Sequence, residues 1–148
     1  MPPDPTATNP FVRRLLEVYN SHRPEAFDAL LTEDCVLVRN GEEARGREAF
    51  KDVIGDVYRA FPDIEYRIDD AVTEGDTVAV RWEARGTHRG PYLGIEPTGR
   101  EIRYDGITFL EMRGDRVARA WVTANLLDLW HALIEAAQGR PPAQPGLH

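Results

Sequence analysis

The chain has 148 residues, of which 42% are hydrophobic and 29% are charged, and its formal net charge is -7. This length predicts one domain with a sizeable core, and the composition is typical of a soluble globular protein. The negative charge argues against nucleic acid or an anionic membrane surface as a partner. The N-terminal residues lack a signal-peptide pattern, and there is no apolar run of about 18 residues. We therefore expect a cytoplasmic protein with no membrane partner.

Cysteine and histidine usage bears on metal chemistry. Cys35 is the only cysteine, which excludes an internal disulfide and a CxxC metal site. Because it opens the apolar run 35–38, we expect a buried thiol. No two histidines stand at metal-ligand spacing with a carboxylate, so we predict no metal site.

The predicted elements begin at Asn9, a helix N-cap followed by Pro10 in the first turn. We expect residues 1–8 to be disordered, one domain over residues 9–138, and a loose tail over 139–148. Helical periodicity and strand alternation predict helices at 9–20, 24–31, 47–61 and 124–138, and strands at 35–39, 64–74, 77–88, 101–112 and 116–123. Helices followed by a run of strands predict an α+β fold, in which helices pack on one face of an antiparallel, twisted sheet.

The stretch 61–121 carries a family resemblance. The resemblance is clearest in five short segments, which are Phe61-Pro62-Asp63, Gly75-Asp76, Gly86-Thr87-His88, the run 94–100 and Gly114-Asp115. In order and spacing they resemble the SnoaL-like polyketide cyclases of the NTF2-like superfamily, and the likeness extends over residues 11–133. The resemblance implies an NTF2-like cone, whose curved antiparallel sheet has helices packed on the concave side. It also implies ring closure by intramolecular aldol condensation, with no metal or cofactor.

The catalytic pair of that family is absent from this chain. The position of the acid/base aspartate falls on Val122, and that of the assisting histidine falls on Thr108. Tyr19 and Val53 fall on the family's pocket positions in the first and third helices. A valine cannot exchange a proton, and a threonine hydroxyl is a poor base near neutral pH. The resemblance therefore implies a pocket without the usual proton chemistry.

Strand alternation, started from Thr108 and Val122, sorts the sheet into two faces. The inner face is expected to hold Val78, Val80, Trp82, Ala84, Gly86, His88, Tyr104, Gly106, Thr108, Leu110, Ala118, Ala120 and Val122. The outer face is expected to hold Arg81, Glu83, Arg85, Asp105, Ile107, Phe109, Glu111, Val117, Arg119 and Trp121. Aromatic groups among charges resemble the dimer interface of the family, so we predict a homodimer through the outer face.

The candidate site consists of residues that this arrangement brings to the pocket. The candidate catalytic residues are Tyr19, His88, Tyr104 and Thr108, which would orient a substrate and stabilise a developing enolate. The candidate substrate-binding residues are Val53, Val80, Trp82, Leu110, Ala120, Val122, Asn125 and Trp130. Four of these residues have alternative roles: His88 could instead fix its turn through a backbone hydrogen bond, and Trp82 could be only a wall. Tyr19 and Tyr104 could be core aromatics whose hydroxyls reach the surface.

Three functions stay open at this point. The first is binding and conversion of a small apolar, polyketide-like or polycyclic molecule, by cyclisation or hydroxylation without a cofactor. The second is a non-catalytic ligand-binding or scaffold protein of the same fold. The third is an epoxide hydrolase-like enzyme using Arg81, Glu83 and Asp105, which requires the two sheet faces to be exchanged.

Overall fold

A computed structural model describes residues 4–139. They form a curved, open sheet of six strands with helices on its inner face, which confirms the predicted α+β class. The helices are α1 (Pro5–Thr8), α2 (Pro10–Asn20), a 3-10 helix (Pro24–Ala29), α3 (Arg47–Ala60) and α4 (Leu126–Ala137). The strands are β1 (Leu31–Arg39), β2 (Glu42–Arg45), β3 (Glu65–Glu74), β4 (Thr77–Thr87), β5 (Glu101–Arg113) and β6 (Arg116–Ala124). Most of the predicted C-terminal tail lies outside the described residues.

The strand order across the sheet is β2-β1-β6-β5-β4-β3. Strands β3 to β6 form an antiparallel meander, in which β4 and β5 pair without a break from Thr77–Glu111 to Thr87–Glu101. The sheet differs from a purely antiparallel one, because β1 pairs in parallel with β6. Parallel neighbours need a long crossover connection, and here the chain between β1 and β6 supplies α3 and the rest of the sheet.

The sheet extends further on the β1 side than the sequence predicted. Strand β1 begins at Leu31 rather than at residue 35, and β2 occupies part of the segment between the predicted strand 35–39 and the predicted helix 47–61. Asn40 and Gly41 have φ angles of 48° and 85°, which suit a two-residue hairpin turn. This turn folds Glu42–Arg45 back onto the end of β1. Strand β2 was missed because it is short and polar, so it shows no alternation.

Burial along β4 and β5 agrees with the predicted faces, since Val80, Trp82, Tyr104 and Thr108 are all buried. The prediction for the start of β6 is wrong. Val117 is 1% exposed, whereas Ala118 was expected to point inward. The register shifts between the pairs Glu111–Arg119 and Met112–Val117, so that Ala118 is the extra residue of a β-bulge. Side-chain alternation reverses across such a bulge.

Helices α2 and α3 cover the inner face of the sheet. The cap of α2 forms as predicted, because the Asn9 side-chain oxygen accepts hydrogen bonds from the backbone N–H groups of Phe11 and Val12. The buried positions of the two helices follow helical spacing. They are Val12 and Leu15 on α2, and Phe50, Ile54, Gly55, Val57, Tyr58 and Ala60 on α3.

The N-terminal segment differs from the expected disorder over the residues that the structure describes. Pro5–Thr8 form one helical turn, and the Asp4 carboxylate accepts a hydrogen bond from the Thr6 backbone N–H at 2.9 Å. An acidic N-cap followed by proline is a standard helix start. Within residues 4–139, every helix is too short or too polar to cross a membrane.

Candidate functional site

A cavity lies between the inner face of the sheet and helices α2 and α3. Its volume is about 60 Å³, which leaves room for a few water molecules, whereas a cavity known to hold benzene measures about 150 Å³. The lining residues are Leu15, Leu16, Tyr19, Leu37, Arg39, Phe50, Val53, Ile54, Val57, Tyr66, Ile68, Val80, Trp82, Tyr104, Thr108 and Val122. Apolar walls with a few polar groups are the usual make-up of a small-molecule site.

Four aromatic rings form a row along the cavity wall. The ring centroids of Tyr19 and Tyr66 lie 5.1 Å apart, those of Tyr66 and Trp82 5.6 Å, and those of Trp82 and Tyr104 5.8 Å. Each pair packs edge to face, which is the arrangement that the ring quadrupoles favour. The row therefore places three tyrosines and one tryptophan along the cavity.

The Trp82 indole has a fixed position in this wall. Its Nε1 donates a hydrogen bond to Thr108 Oγ1 at 2.9 Å in a buried position. Gly106 stands opposite Trp82 on β5, and a Cβ there would lie 2.8 Å from both the indole Cε2 and the Thr123 carbonyl oxygen. Gly106 thus leaves the space that the indole fills. Because Thr108 Oγ1 accepts from the indole, its own proton can be donated to a ligand.

Arg39 is the one charged residue among the described residues that line the cavity. It stands opposite Val122 in the parallel pair of β1 and β6, which puts its side chain on the inner face. Its Nη2 donates a hydrogen bond to the Tyr92 hydroxyl at 3.0 Å. Tyr92 belongs to the loop 88–100 and packs edge to face on Phe61, with centroids 5.3 Å apart. The cavity lining is thereby linked to that loop.

Burial keeps the cavity tyrosines protonated. It raises the pKa of Tyr19 to about 12, although the nearby Arg39 acts in the opposite direction. Burial also raises the pKa of Tyr66 and of Tyr104 well above the usual range. At neutral pH these hydroxyls can donate hydrogen bonds but cannot act as bases. The lining contains no aspartate, glutamate or histidine within residues 4–139.

Hydrogen bonds from the helices determine where Tyr19 and Tyr66 lie. The Asn20 side chain brackets the Tyr66 backbone: Oδ1 accepts from its N–H at 2.8 Å, and Nδ2 donates to its carbonyl at 3.0 Å. The Tyr58 hydroxyl donates to the Tyr19 carbonyl at 2.7 Å. These bonds join the end of α2 to α3 and to β3. The two tyrosines are therefore placed by backbone contacts as well as by packing.

The structure brings together most of the predicted site residues. Tyr19, Val53, Val80, Trp82, Tyr104, Thr108 and Val122 line the cavity. Leu110 and Ala120 are buried on the same sheet face but outside the cavity. Asn125 and Trp130 lie on the surface at α4, where the Asn125 side chain donates to the Asp128 carboxylate. These last four residues are not part of the candidate site.

His88 is fully buried but lies outside the cavity. Its Nδ1 accepts a hydrogen bond from the Thr98 backbone N–H at 3.1 Å, and its own backbone pairs with Gly99 and Arg100. Desolvation lowers the pKa of His88, while a hydrogen bond to the Gly90 backbone acts in the opposite direction. These contacts close the base of the loop 88–100, as the structural alternative for this residue predicts.

The charged trio Arg81, Glu83 and Asp105 lies on the outer face. Glu83 forms ion pairs with Arg67 and Arg103, each at 3.2 Å, and Asp105 is exposed. All three are on the side of the sheet opposite the cavity. The epoxide hydrolase-like alternative is therefore wrong, because it requires these residues to face the pocket. Within residues 4–139, no cluster of three or more His, Cys, Asp or Glu is placed to hold a metal ion.

Sequence reasoning did not select two polar residues of the cavity, Arg39 and Tyr66. Tyr66 could have been found by extending the alternation to β3, since it stands opposite Ala84 on the inner face. Arg39 follows the run 35–38, which is apolar at every position, so alternation alone does not indicate which face Arg39 occupies. Its face follows from the pairing of β1 with β6, which no local pattern reveals. The other unselected lining residues are Leu15, Leu16, Leu37, Phe50, Ile54, Val57 and Ile68.

The chain is similar to known proteins in both sequence and structure. The family model of the SnoaL-like polyketide cyclases matches residues 10–133. The chain is similar to TsrD from Streptomyces laurentii, with 27% identity and a TM-score of 0.76 over 91% of this chain and 99% of that chain. It is also similar to IdmH, a candidate polyketide cyclase from Streptomyces antibioticus, with 27% identity and a TM-score of 0.72 over 88% of this chain and 96% of that chain.

AclR, a candidate hydroxylase from Streptomyces galilaeus, shares the fold at 20% identity. Its TM-score is 0.75 over 93% of this chain and 84% of that chain. No curated protein matches the chain.

Proposed function

Because the chain belongs to the SnoaL-like polyketide cyclase family, we propose that it binds a small, largely apolar molecule of the polyketide type in the cavity and transforms it. The observation that carries the proposal is the set of hydroxyl-bearing side chains that line an apolar cavity. Tyr19, Tyr104 and Thr108 line it beside the Trp82 indole. In such sites, apolar walls provide affinity and a few polar groups fix the orientation of the ligand.

The reaction that suits these groups develops negative charge on a substrate oxygen. Donors already aimed at an enolate or phenolate stabilise it strongly in a site that excludes water. Val122 stands where the family resemblance puts the acid/base aspartate, and it cannot accept a proton. The substrate therefore loses its proton to bulk water before it enters the cavity, as an acidic 1,3-dicarbonyl compound or a polyphenol can. The proposed activity, in secondary metabolism, is cofactor-independent cyclisation of such a compound, or its hydroxylation by O2, in which the substrate supplies the electrons, one oxygen atom enters the product and the other leaves as water.

A series of phenols of increasing size tests the proposal. Phloroglucinol has one ring, naphthol has two fused rings and emodin anthrone has three, so the series also reports how far the cavity widens. We expect the melting temperature to rise with the concentration of at least one probe, and mass spectrometry to detect its conversion. Replacing Tyr104 by phenylalanine is expected to lower the rate by on the order of tenfold or more, because one oxyanion donor is lost.

Two threonine variants provide the matched control. Thr108→Val removes a hydroxyl from the cavity, whereas Thr123→Val makes the same change at an exposed position. We expect the first to slow conversion and the second to leave it unchanged. The proposal is overturned if no probe stabilises the protein, or if the two variants have the same effect.

Binding without catalysis is a second candidate function. The lining supports it, since within residues 4–139 it contains no aspartate, glutamate or histidine that could serve as an acid or a base. In this case a probe stabilises the wild-type protein, but no product forms, and Tyr104→Phe changes the affinity alone.

We also propose that the protein is a homodimer through an outer patch, defined as Val72, Ile107, Phe109 and Trp121. These side chains are 63%, 55%, 47% and 37% exposed. Phe109 pairs with Trp121 across β5 and β6, with ring centroids 5.8 Å apart, and the Arg119 guanidinium lies over the Trp121 ring. Apolar patches of this kind on a soluble protein usually mark an interface.

A further inference from the structure

The cavity contains an arginine without a carboxylate partner. No Asp or Glu within residues 4–139 forms an ion pair with Arg39. Its guanidinium is half-buried and makes one side-chain hydrogen bond, from Nη2 to the Tyr92 hydroxyl. A guanidinium has five N–H donors, so most of them have no such partner.

Other arginines of the sheet do have a carboxylate partner, so the lack of one distinguishes Arg39 from them. Arg67 and Arg103 both pair with Glu83 on the outer face, and Arg113 pairs with Asp34 at 3.1 Å. Those side chains are more than half exposed, where a charge is easily solvated. Arg39 instead stands among apolar groups, where a cation without a counter-ion is costly. A ligand that brings a negative charge would remove this cost.

The groups around Arg39 also suit an anion. Tyr19 and Tyr104 are near enough for the guanidinium to influence the pKa of each hydroxyl, which burial raises. Both are therefore protonated donors at neutral pH. With Thr108, the cavity offers donors and one positive charge, and its described lining includes no acidic side chain. An acidic group of a ligand would find complementary partners there, whereas a cationic group would be repelled.

We infer that the natural ligand of this cavity is an aromatic or polyketide acid, whose carboxylate is bound by Arg39. The planar guanidinium matches a carboxylate with two parallel hydrogen bonds, and the ring system of the ligand packs against Trp82. The inference rests on the proposed function and deepens it. It names the substrate class as an organic acid, and it makes Arg39 the residue that selects that class.

Benzoate and benzamide provide the test, since they have nearly the same shape and differ in charge. We expect ligand-observed NMR titration of the wild-type protein at neutral pH to give benzoate an affinity at least about tenfold higher, as hydrogen bonds to charged groups imply. In Arg39→Met the preference falls to about one, because only apolar contacts are left. Arg39→Lys keeps the positive charge but cannot form the two parallel hydrogen bonds of a guanidinium, so it is expected to keep part of the preference for benzoate. Arg81→Gln, an exposed arginine on the outer face, is the matched control and leaves the ratio unchanged.

The outcomes separate this inference from the proposed function. Equal affinity of both probes for the wild-type protein overturns the choice of an acid but leaves a binding cavity. A benzoate preference that persists in Arg39→Met overturns the role of Arg39. If neither probe binds, the proposed cavity function fails, and the inference fails with it. The wild-type comparison needs no variant, so a poorly folded Arg39→Met protein does not prevent a decision.

Discussion

Among single residues, Gly106 matters most for the shape of the cavity wall, because it has no side chain and so leaves space for the Trp82 indole. Gly106→Ala would put a Cβ against Trp82 Cζ2 and 2.8 Å from the Thr123 carbonyl oxygen of β6. The carbonyl cannot move without disturbing the sheet, so the indole has to shift and lose its bond to Thr108. We expect a destabilisation of about 1–3 kcal/mol, as is typical of overpacking, measured by urea unfolding.

Gly55→Ala is the matched control for that change. Gly55 lies inside α3, and a Cβ there would meet the far end of the flexible Arg59 side chain at 3.3 Å. Alanine favours a helix interior over glycine by about 0.8–1 kcal/mol, so this variant is expected to be more stable than the wild type. Equal effects of the two substitutions would contradict the role given to Gly106.

At the scale of elements, the loop 88–100 is held by a histidine that is neutral in the folded protein. Desolvation lowers the pKa of His88 below 6.5, and the Gly90 hydrogen bond only partly offsets this. The unfolded chain takes up a proton as the pH falls through about 6.5, while the folded protein does so only at lower pH. The contribution of His88 to stability is therefore complete above that value and declines below it.

His88→Gln should remove this pH dependence while keeping an acceptor for Thr98. We expect the free energy of unfolding of the wild type to fall more than that of the variant between about pH 7.5 and about pH 5.5, the range in which histidines titrate. His131→Gln, at an exposed position of α4, is expected to behave like the wild type. The interpretation fails if all three proteins lose the same stability.

The elements also show how far sequence reasoning reaches. The cap at Asn9 and the alternation of β4 and β5 are local signals, and both elements lie where they were predicted. The bulge at Ala118 and the inward position of Arg39 are not local. Each depends on how two strands meet, in the first case β5 with β6 and in the second β1 with β6. The apolar part of the site was therefore predictable, but its one charge was not.

The proposed acid specificity gives the β1–β6 pair a functional meaning. Parallel pairing sets Leu37 opposite Ala120 and Arg39 opposite Val122. A shift of one residue would turn the guanidinium to the outer face, because side chains alternate along a strand. The same register therefore places Leu37 in the core and the positive charge of Arg39 at the cavity.

At the scale of the whole molecule, the two faces of one sheet serve different purposes. The inner face holds the cavity, and the outer face carries the outer patch. A cross-strand row links Val72 to Ala79, Phe109 and Trp121, so the exposed apolar groups are contiguous over four strands. Charged residues border the row, among them Arg81, two residues from Ala79 on β4, and Glu111, two residues from Phe109 on β5. An apolar centre with a polar rim is the usual anatomy of a protein interface.

Phe109→Glu tests whether this patch joins two copies of the chain. We expect light scattering after size-exclusion chromatography to give the wild type twice the 16.7 kDa mass of one chain. The variant is expected to elute as a monomer, because two carboxylates would be buried near a two-fold axis without partners. Leu127→Glu makes the same kind of change at a side chain of α4 that is 63% exposed, and it should leave the dimer intact. A monomeric wild type, or a Phe109→Glu protein that still dimerises, would show that the outer patch has another role. Circular dichroism of the variant separates loss of the interface from loss of the fold, since Phe109 is not part of the buried core.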